Sequence, residues 1–401
     1  MAAPDPNAAP ETRGGLWTVV ARELHLIAHS PFMMLFVFIL PLSTFALLAA
    51  VFWQEIPRDL PVVVCDRDDS ALSRRLARFM DASPALAVTG RVHDVEEGAS
   101  LIRQGRAYAI IYLPAKLEHD TLRGEAPAVT VYFNNQWLLT SGVINRAVRD
   151  VVGYASAGAD VRMRMARGES PAQALEHYEP IKLEQHLLFN PNMNYRYFLL
   201  PALLPVLLQI FVVVVMVRAT GGEFRYGTAG GWLAAAGGRP WLALLGKALP
   251  YTVAFFVLGI FMWSLLIRFC SVPLHGSLGV LLAGTAVFIL AYQSMGCLLV
   301  ALGANLRFAN TAAGFYCGPA FAFAGITFPV VALPMPAQVW SNLLPLKHFV
   351  LLLMQQAMQG APAQESGPPL FALMAFAFLP PLIFIPRMGR FMRDASTWGR
   401  L

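Results

Sequence analysis

Hydrophobic and polar positions divide this chain into long apolar runs and one long polar stretch. The apolar runs are about 20 residues long, the length that a helix needs to cross the core of a bilayer. Six runs are predicted as membrane spans: residues 32–53, 197–217, 248–268, 278–302, 309–331 and 370–386. The pattern therefore predicts an α-helical polytopic membrane protein with six transmembrane helices.

The segments beside the spans have other patterns. Residues 1–12 are rich in Ala and Pro and are predicted to be a disordered cytoplasmic tail, whereas residues 13–31 have the periodicity of an amphipathic interfacial helix. Residues 333–369 contain an apolar run that is too short to cross and is interrupted by Lys347 and His348, so outer re-entrant or surface helices are predicted there. Residues 387–401 form a polar, cytoplasmic tail.

The polar stretch, residues 54–196, is predicted to be a folded domain outside the bilayer. Residues 60–66, 108–114 and 128–133 are apolar runs of strand length, and residues 70–81 have helical periodicity. A longer helix is predicted over residues 137–167. This succession of strands and helices favours an inserted α/β or α+β domain.

Composition supports a membrane protein. Hydrophobic residues make up 57% of the chain and charged residues 13%, about half the charged share of a typical soluble domain. Of the 13 Lys and Arg outside residues 54–196, eleven fall on one side of the predicted spans. The positive-inside rule then makes both termini cytoplasmic and the inserted domain extracytoplasmic. The basic residues do not cluster on one polar face, so no nucleic-acid partner is predicted.

Enzyme motifs are absent from the sequence. It contains no phosphate-binding GxxxxGK[ST], no GxSxG, no HExxH and no paired CxxC. His25 and His29 have the four-residue spacing of a metal site, but no third ligand is nearby in sequence, and a pair of interfacial histidines is the alternative. We predict that the chain is not an enzyme, has no catalytic residue, and binds no metal or cofactor itself.

The predicted spans also lack Asp and Glu. Proton-driven transporters usually need an ionisable relay inside the membrane, so an external energy source is the better hypothesis. A separate ATPase that docks on the predicted cytoplasmic loop, residues 218–247, would supply it. An ordinary glycine-rich connector is the alternative interpretation of this loop.

Several motifs in order give the chain a family resemblance. They are Arg22–Glu23 in the first helix, Asn190–Pro191 before the second span, the sequence EFRYGT at residues 223–228, Gly246–Lys247 and the run at residues 334–349. With them, nearly the whole chain resembles the permease subunits of ABC-2 type transporters, in the subgroup with a large extracytoplasmic domain between the first two spans. The sequence departs from many relatives at Phe224, where they carry a second charged residue, and after Thr228, where the small apolar Ala229 follows with no acid close behind it.

The resemblance implies a bacterial inner-membrane permease of an ABC exporter. ATP and Mg²⁺ would be bound by a partner ATPase subunit, and the permease would work with a second copy or a sister permease. A periplasmic adaptor and an outer-membrane channel are further candidate partners. The residues implied in coupling to the ATPase are Arg22, Glu23, Glu223, Phe224, Arg225, Tyr226, Gly227 and Thr228.

Two groups of residues are singled out within the predicted spans. Gly314, Gly318 and Gly325 indicate a helix-packing face, either within the subunit or in a dimer. The candidates for a translocation path are Gln209, Tyr292, Gln293, Ser294 and Tyr316. Hydrogen bonds between helices are the alternative role for this second group.

Two rival functions stay open at this point. One is a non-transporting receptor or scaffold that acts through its extracytoplasmic domain and uses the spans as anchors, although one anchor would be enough for that. The other is a proton-driven transporter, against which the carboxylate-free spans count.

Overall fold

The computed structural model describes residues 14–53, 57–166, 168, 170, 188–190 and 194–399. The chain forms two units, one made of Met1–Trp53 with Arg196–Leu401 and the other of Gln54–Tyr195. The predicted tail over residues 1–12 and Pro191 of the Asn-Pro motif lie outside the described residues.

Two helices begin the first unit, α1 (Leu16–His29) and α2 (Pro31–Val51). Pro31 at the start of α2 has no N–H to extend α1, and the Ser30 hydroxyl accepts a hydrogen bond from the backbone N–H of Met33, which caps α2. Val19, Val20, Glu23 and Ile27 of α1 are buried, whereas Trp17 and Leu24 are exposed. The sequence of α1 is therefore apolar on more than one face.

The second unit contains a four-stranded mixed sheet in the order β2-β1-β3-β4. Strand β1 is parallel to β2 and β3, and β4 is antiparallel to β3. The strands are β1 (Leu60–Asp66), β2 (Leu86–Val92), β3 (Ala109–Leu113) and β4 (Thr130–Phe133). The helices are α3 (Ala71–Asp81), α4 (Val95–Arg103), α5 (Leu117–Leu122) and α6 (Leu138–Ala166). The sheet agrees with the mixed α and β content predicted for this stretch.

Helices cover both faces of this sheet. Val62, Val64 and Ile111 face a core that they share with Met80 of α3 and Ile144 of α6. On the opposite face, inward side chains of β1 and β3 pack with α4. The two central strands are consequently apolar on both sides, which is why they read as continuous hydrophobic runs in the sequence.

The first unit continues with the remaining helices. They are α7 (Tyr195–Arg225), α8 (Ala229–Ala235), α9 (Pro240–Phe269), α10 (Leu278–Ala301), α11 (Leu306–Cys317), α12 (Met335–Asn342), α13 (Pro345–Leu353) and α14 (Gly367–Arg393). Within the described residues, five helices are long and apolar enough to cross a membrane: Pro31–Val51, Tyr195–Arg225, Pro240–Phe269, Leu278–Ala301 and Ala363–Arg393.

The structure of residues 309–331 differs from the fifth predicted span. Helix α11 ends at Cys317 and is followed by the 3₁₀ turn Gly318–Phe321, so no continuous helix covers this segment. The break falls at Gly318–Pro319, where proline removes a backbone donor. Gly325 has φ +86° in the turns that follow, and it therefore does not share a helical face with Gly314 and Gly318 as predicted.

Helix α13 lies inside the bundle. Its side chains Leu346, Phe349 and Leu353 are buried, and it packs against α10 and α14. The backbone N–H of Leu346 donates to the hydroxyl of Tyr292, which is near the middle of α10. The two predicted arrangements for residues 333–369, re-entrant and surface-lying, both stay predictions.

The central strands should dominate the stability of the second unit. We expect Ile111→Ala to lower its free energy of unfolding by about 2–4 kcal/mol, since a fully buried side chain leaves a cavity. Hydrogen exchange of β1 and β3 in the full chain measures this change. Tyr154→Ala, at a position 81% exposed, is the control and should change stability by less than about 0.5 kcal/mol. Equal protection in both variants would contradict the assignment of the core.

Candidate functional site

The motif at residues 223–228 forms the end of α7. The N–H of Thr228 donates to the carbonyl of Glu223 (2.9 Å) and the N–H of Gly227 to the carbonyl of Phe224 (3.3 Å). This pair of bonds, with Gly227 at φ +69°, is the Schellman arrangement that ends a helix and satisfies its last carbonyls. The glycine is needed there because residues with a Cβ avoid positive φ.

A buried cluster of charges lies at this helix end. Arg22 of α1 donates two hydrogen bonds to Glu223, of 2.6 Å to Oε1 and 2.9 Å to Oε2. Lys247 Nζ of α9 lies 2.9 Å from Glu223 Oε1 and 2.5 Å from Glu23 Oε2. The Tyr251 hydroxyl donates to Glu23 Oε1 at 2.7 Å. Two cations and two carboxylates from three helices therefore neutralise each other.

The cluster is almost wholly withdrawn from solvent. The side chains of Glu23 and Lys247 are 1% exposed and that of Glu223 is 4% exposed, whereas Arg22 is 28% exposed. The hydrogen bond with Glu223 raises the pKa of the Arg22 guanidinium, against the opposing effect of its burial. Buried charges of this kind are stable only when they are paired, because removing one partner leaves the other unsolvated.

Glycine allows the helices to approach closely enough for this pairing. A Cβ on Gly246 would lie 2.7 Å from Cβ of Val19, so only glycine lets α1 lie directly on α9 at this level. The neighbouring Lys247 then reaches under α1 to Glu23. Its ammonium group also lies 4.9 Å from the centre of the Trp232 ring in α8, a distance suited to a cation–π contact. Each residue of the Gly246–Lys247 motif thus has its own structural role.

The residues after Glu223 divide into buried and exposed positions. Phe224 is buried against Phe391, with ring centres 6.2 Å apart. Arg225 is half-buried, and Tyr226, 60% exposed, stacks beside it. Gly227 and Thr228 are exposed, although the Thr228 hydroxyl still donates to Glu223 Oε2. Of the eight predicted coupling residues, four belong to the internal cluster or core, namely Arg22, Glu23, Glu223 and Phe224.

Two members of the cluster were not among the predicted site residues. Lys247 was noted in the sequence only as part of a motif, and Tyr251 was not singled out. The signal available was their i, i+4 spacing, which puts both on one face of α9. Their partners are more than 200 positions away in the chain, except for Glu223.

Four of the five candidate path residues form hydrogen bonds between segments of the bundle. Gln293 Oε1 accepts from the Thr252 hydroxyl at 2.8 Å, and the Tyr316 hydroxyl donates to the carbonyl of Leu343 at 2.8 Å. Gln209 Nε2 lies 3.4 Å from the carbonyl of Cys317. Tyr292 bonds to α13 as described, whereas Ser294 is buried and its hydroxyl has no hydrogen-bond partner among the described residues. These contacts favour the alternative role, stabilisation of the bundle, in the conformation seen here.

Two of the candidate packing glycines, Gly314 of α11 and Gly318 directly after it, lie on an open face. Apart from chain neighbours and the backbone of their own helix, no described atom lies within 4 Å of a Cβ built at either residue, and both are exposed. This face therefore makes no close contact within the described part of the subunit. Packing of this face against a second chain therefore stays a prediction.

Neither the histidines nor the cysteines form a metal site in the described residues. His25 and His29 stack with ring centres 4.0 Å apart, and His29 Nδ1 is 2.9 Å from the carbonyl of His25. No group of three or more His, Cys, Asp or Glu with metal-binding geometry occurs among the described positions. The four cysteines are free and buried.

Removal of one charge tests the cluster. We expect Lys247→Ala to lower the stability of the first unit by about 3–5 kcal/mol, because Glu23 is left buried without a cation. The thermal melting temperature in detergent measures the change, with Arg239→Ala, at an exposed position, as the control. The double variant Glu23→Gln with Lys247→Met removes both charges and should recover most of the loss. A Lys247→Ala protein that melts with the control would contradict the cluster's role.

Comparisons with known proteins identify the family of the chain. The profile of the family described as "ABC-2 family transporter protein" matches residues 31–385. The chain is 22% identical over 346 residues to the "Probable multidrug ABC transporter permease YbhS" of Escherichia coli K12, covering 84% of this chain and 87% of that protein. It is 27% identical over 168 residues to the corresponding YbhR, covering 40% of this chain and 44% of YbhR. No solved structure is significantly similar. The resemblance found in the sequence is confirmed, and the chain belongs to the ABC-2 family of transporter proteins.

Proposed function

We propose that this chain is the permease subunit of an ATP-driven exporter in the bacterial inner membrane, with ATP and Mg²⁺ bound by a separate ATPase subunit. The observation that carries the proposal is the charge cluster that joins α1, α7 and α9 directly beneath exposed Tyr226, Gly227 and Thr228. The ATPase would dock on this loop and on α8.

The cluster would transmit the movement of the ATPase to the spans. Because Glu223 bonds to both Arg22 and Lys247, a displacement of the loop also displaces α1 and α9. Coupling requires only that the contact with the ATPase differ between its nucleotide-bound and nucleotide-free states. The bundle would then change the side on which its cargo is accessible.

Contacts at the helix ends support six crossings. Arg387 of α14 donates to the carbonyl of Leu302, just after α10. At the opposite end of α10, the N–H groups of His275 and Gly276 donate to carbonyls of residues 356–357. The chain therefore passes from one end of α10 to the other between residues 306 and 356. We propose that broken α11 begins this sixth crossing, with both termini cytoplasmic and the second unit extracytoplasmic.

Further partners and the cargo follow from the family. The open face at Gly314 and Gly318 is where we propose that a second permease copy, or a sister permease, packs. The extracytoplasmic unit would be the docking surface for a periplasmic adaptor, and through it for an outer-membrane channel. Since both relatives are described as probable multidrug transporter permeases, drug-like small molecules are the cargo class to test first.

Co-purification tests the energy source. The full chain is extracted gently from native membranes after crosslinking, and the co-purifying chains are identified by mass spectrometry. We expect an ATPase with a phosphate-binding loop to be recovered. Recovery of extracytoplasmic binding partners alone would instead favour the receptor or scaffold function.

Substitution of the exposed tyrosine tests the docking surface. Tyr226→Ala should lower ATP hydrolysis by the complex about tenfold, the effect of losing one well-packed aromatic contact at an interface. Melting temperature and membrane insertion should change little, because the side chain is 60% exposed and its hydroxyl accepts one exposed hydrogen bond, from Arg218. Glu223→Arg is unsuitable here, since it would place a third cation inside the buried cluster.

Tyr154→Ala is the matched control, because it removes an exposed tyrosine from the other unit. It should leave hydrolysis unchanged. Equal hydrolysis by the wild type and the Tyr226→Ala complex would rule out docking at this loop.

A further inference from the structure

Residues 389–399, here called the strap, contact the end of α7, α8, the turn after α8 and the start of α9. The N–H of Gly399 donates to the carbonyl of Phe224 at 2.9 Å, at the end of α7. Arg393 Nη2 lies 3.3 Å from the carbonyl of Gly238 after α8. A Cβ on Gly389 would lie 2.8 Å from Cγ of Pro240, at the start of α9. The fourth contact is with α8 itself.

Trp398 makes the contact with α8. A Cβ on Gly230 would lie 2.8 Å from Cη2 of the Trp398 ring, so the indole lies directly on the backbone of α8. The indole N–H donates to the carbonyl of Phe391 at 2.9 Å, which fixes the ring at the end of α14. The Thr397 hydroxyl donates to the same carbonyl at 3.0 Å. A glycine on one side and a hydrogen-bonded tryptophan on the other thus form a close-fitting contact.

Hydrogen bonds within the strap also fix its conformation. After α14 the chain turns at Asp394, whose carboxylate accepts hydrogen bonds from the N–H and the hydroxyl of Ser396. Thr397 is buried although Ser396 beside it is exposed. The turn brings Trp398 and Gly399 back onto the loop, so the positions of these two residues are held by local bonds as well as by α8.

We propose that the strap holds α8 in the position that the ATPase recognises, and that Trp398 is the positioning residue which does so. This inference rests on the proposed docking of an ATPase at the loop. Trp398 would act through Gly230 and not by contact with the ATPase or the cargo. Without it, α8 would keep its attachment to α9 through Trp232, whose indole donates to the carbonyl of Ala243, but it would lose the surface that fixes its other side.

The mobility of α8 can be measured in the permease without any partner. Gly231 is exposed, and a Cβ built there has no neighbour within 4 Å, so Gly231→Cys accepts a spin label. Labelling should be specific because the four native cysteines are buried. We expect Trp398→Ala to increase the mobile fraction of the label about fivefold to tenfold, the effect of losing one ordered contact. An unchanged spectrum would overturn the proposal.

Because Trp398 contacts Gly230, the effect of Gly230→Ala on the mobility of the label should change sign when Trp398 is also replaced. Gly230→Ala alone should mobilise the label, because the new methyl group displaces the indole. In the Trp398→Ala background the same substitution should have no such effect and should even favour the helix, since alanine is the better helix former. Trp398→Phe keeps a ring without the N–H and should lie between the wild type and Trp398→Ala. Additive effects would show that the two residues do not act through each other.

Hydrolysis measurements separate this inference from the proposed function. The ATPase should still co-purify with Trp398→Ala, but ATP hydrolysis by the complex should fall about fivefold, with partial recovery in Trp398→Phe. If hydrolysis stays at the wild-type level while Tyr226→Ala lowers it, docking at the loop stands and the strap has no part in coupling. If no ATPase is recovered with the wild type, the proposed function fails, whatever the label shows.

Discussion

The pairing of three buried charges with the partly exposed Arg22 sets the geometry of the first unit around the loop. Glu23, Glu223 and Lys247 have almost no contact with solvent, and each would be strongly destabilising without a counter-charge. The pairing fixes how far apart α1, α7 and α9 lie at this level. Gly246 then has to be a glycine, because the ion pairs need α1 to lie against the backbone of α9. The motif and the close packing are two consequences of one electrostatic requirement.

Helix α8 is held between two segments that are far apart in the sequence. On one side, a Cβ on Gly14 would meet the carbonyl of Ala234 at 2.5 Å, so the segment just before α1 lies against the end of α8. On the other side, Trp398 lies against Gly230. A seven-residue helix has little stability of its own. Its position therefore depends on these neighbours, and a force on either segment reaches the loop.

The sequence predicted those features that depend on local pattern. Apolar runs of bilayer length located the five helices that are long and apolar enough to cross a membrane, and the strands at β1, β3 and β4 were visible as apolar runs. Strand β2 (Leu86–Val92) was not predicted, because it is an edge strand with Gly90 and Arg91 inside it and only its two end residues are fully buried. The end of α11 at Cys317 was also missed, since Gly318–Pro319 lies within an otherwise uninterrupted apolar run.

The candidate site was predicted only in part, for a similar reason. The acidic, basic and glycine residues at 223–228 were recognisable as a motif, but their division into an internal cluster and an exposed surface depends on Arg22 and Lys247, which approach from other helices. The pairing of Glu223 with Arg22, which is 201 positions away, leaves no trace in one sequence. The same holds for Trp398, whose position against α8 depends on the turn at Asp394.

The cluster also bears on how the protein could use energy. The spans as predicted lacked carboxylates, but α7 extends to Arg225 and includes Glu223 near its end. A proton relay needs a carboxylate that exchanges protons with water and can change partners. Glu223 instead accepts hydrogen bonds from Arg22, Lys247 and Thr228, and Glu23 accepts them from Lys247 and Tyr251. Carboxylates bonded in this way hold helices together. Such a cluster fits the proposed movement of the helices by a partner ATPase better than transport driven by protonation of the chain itself.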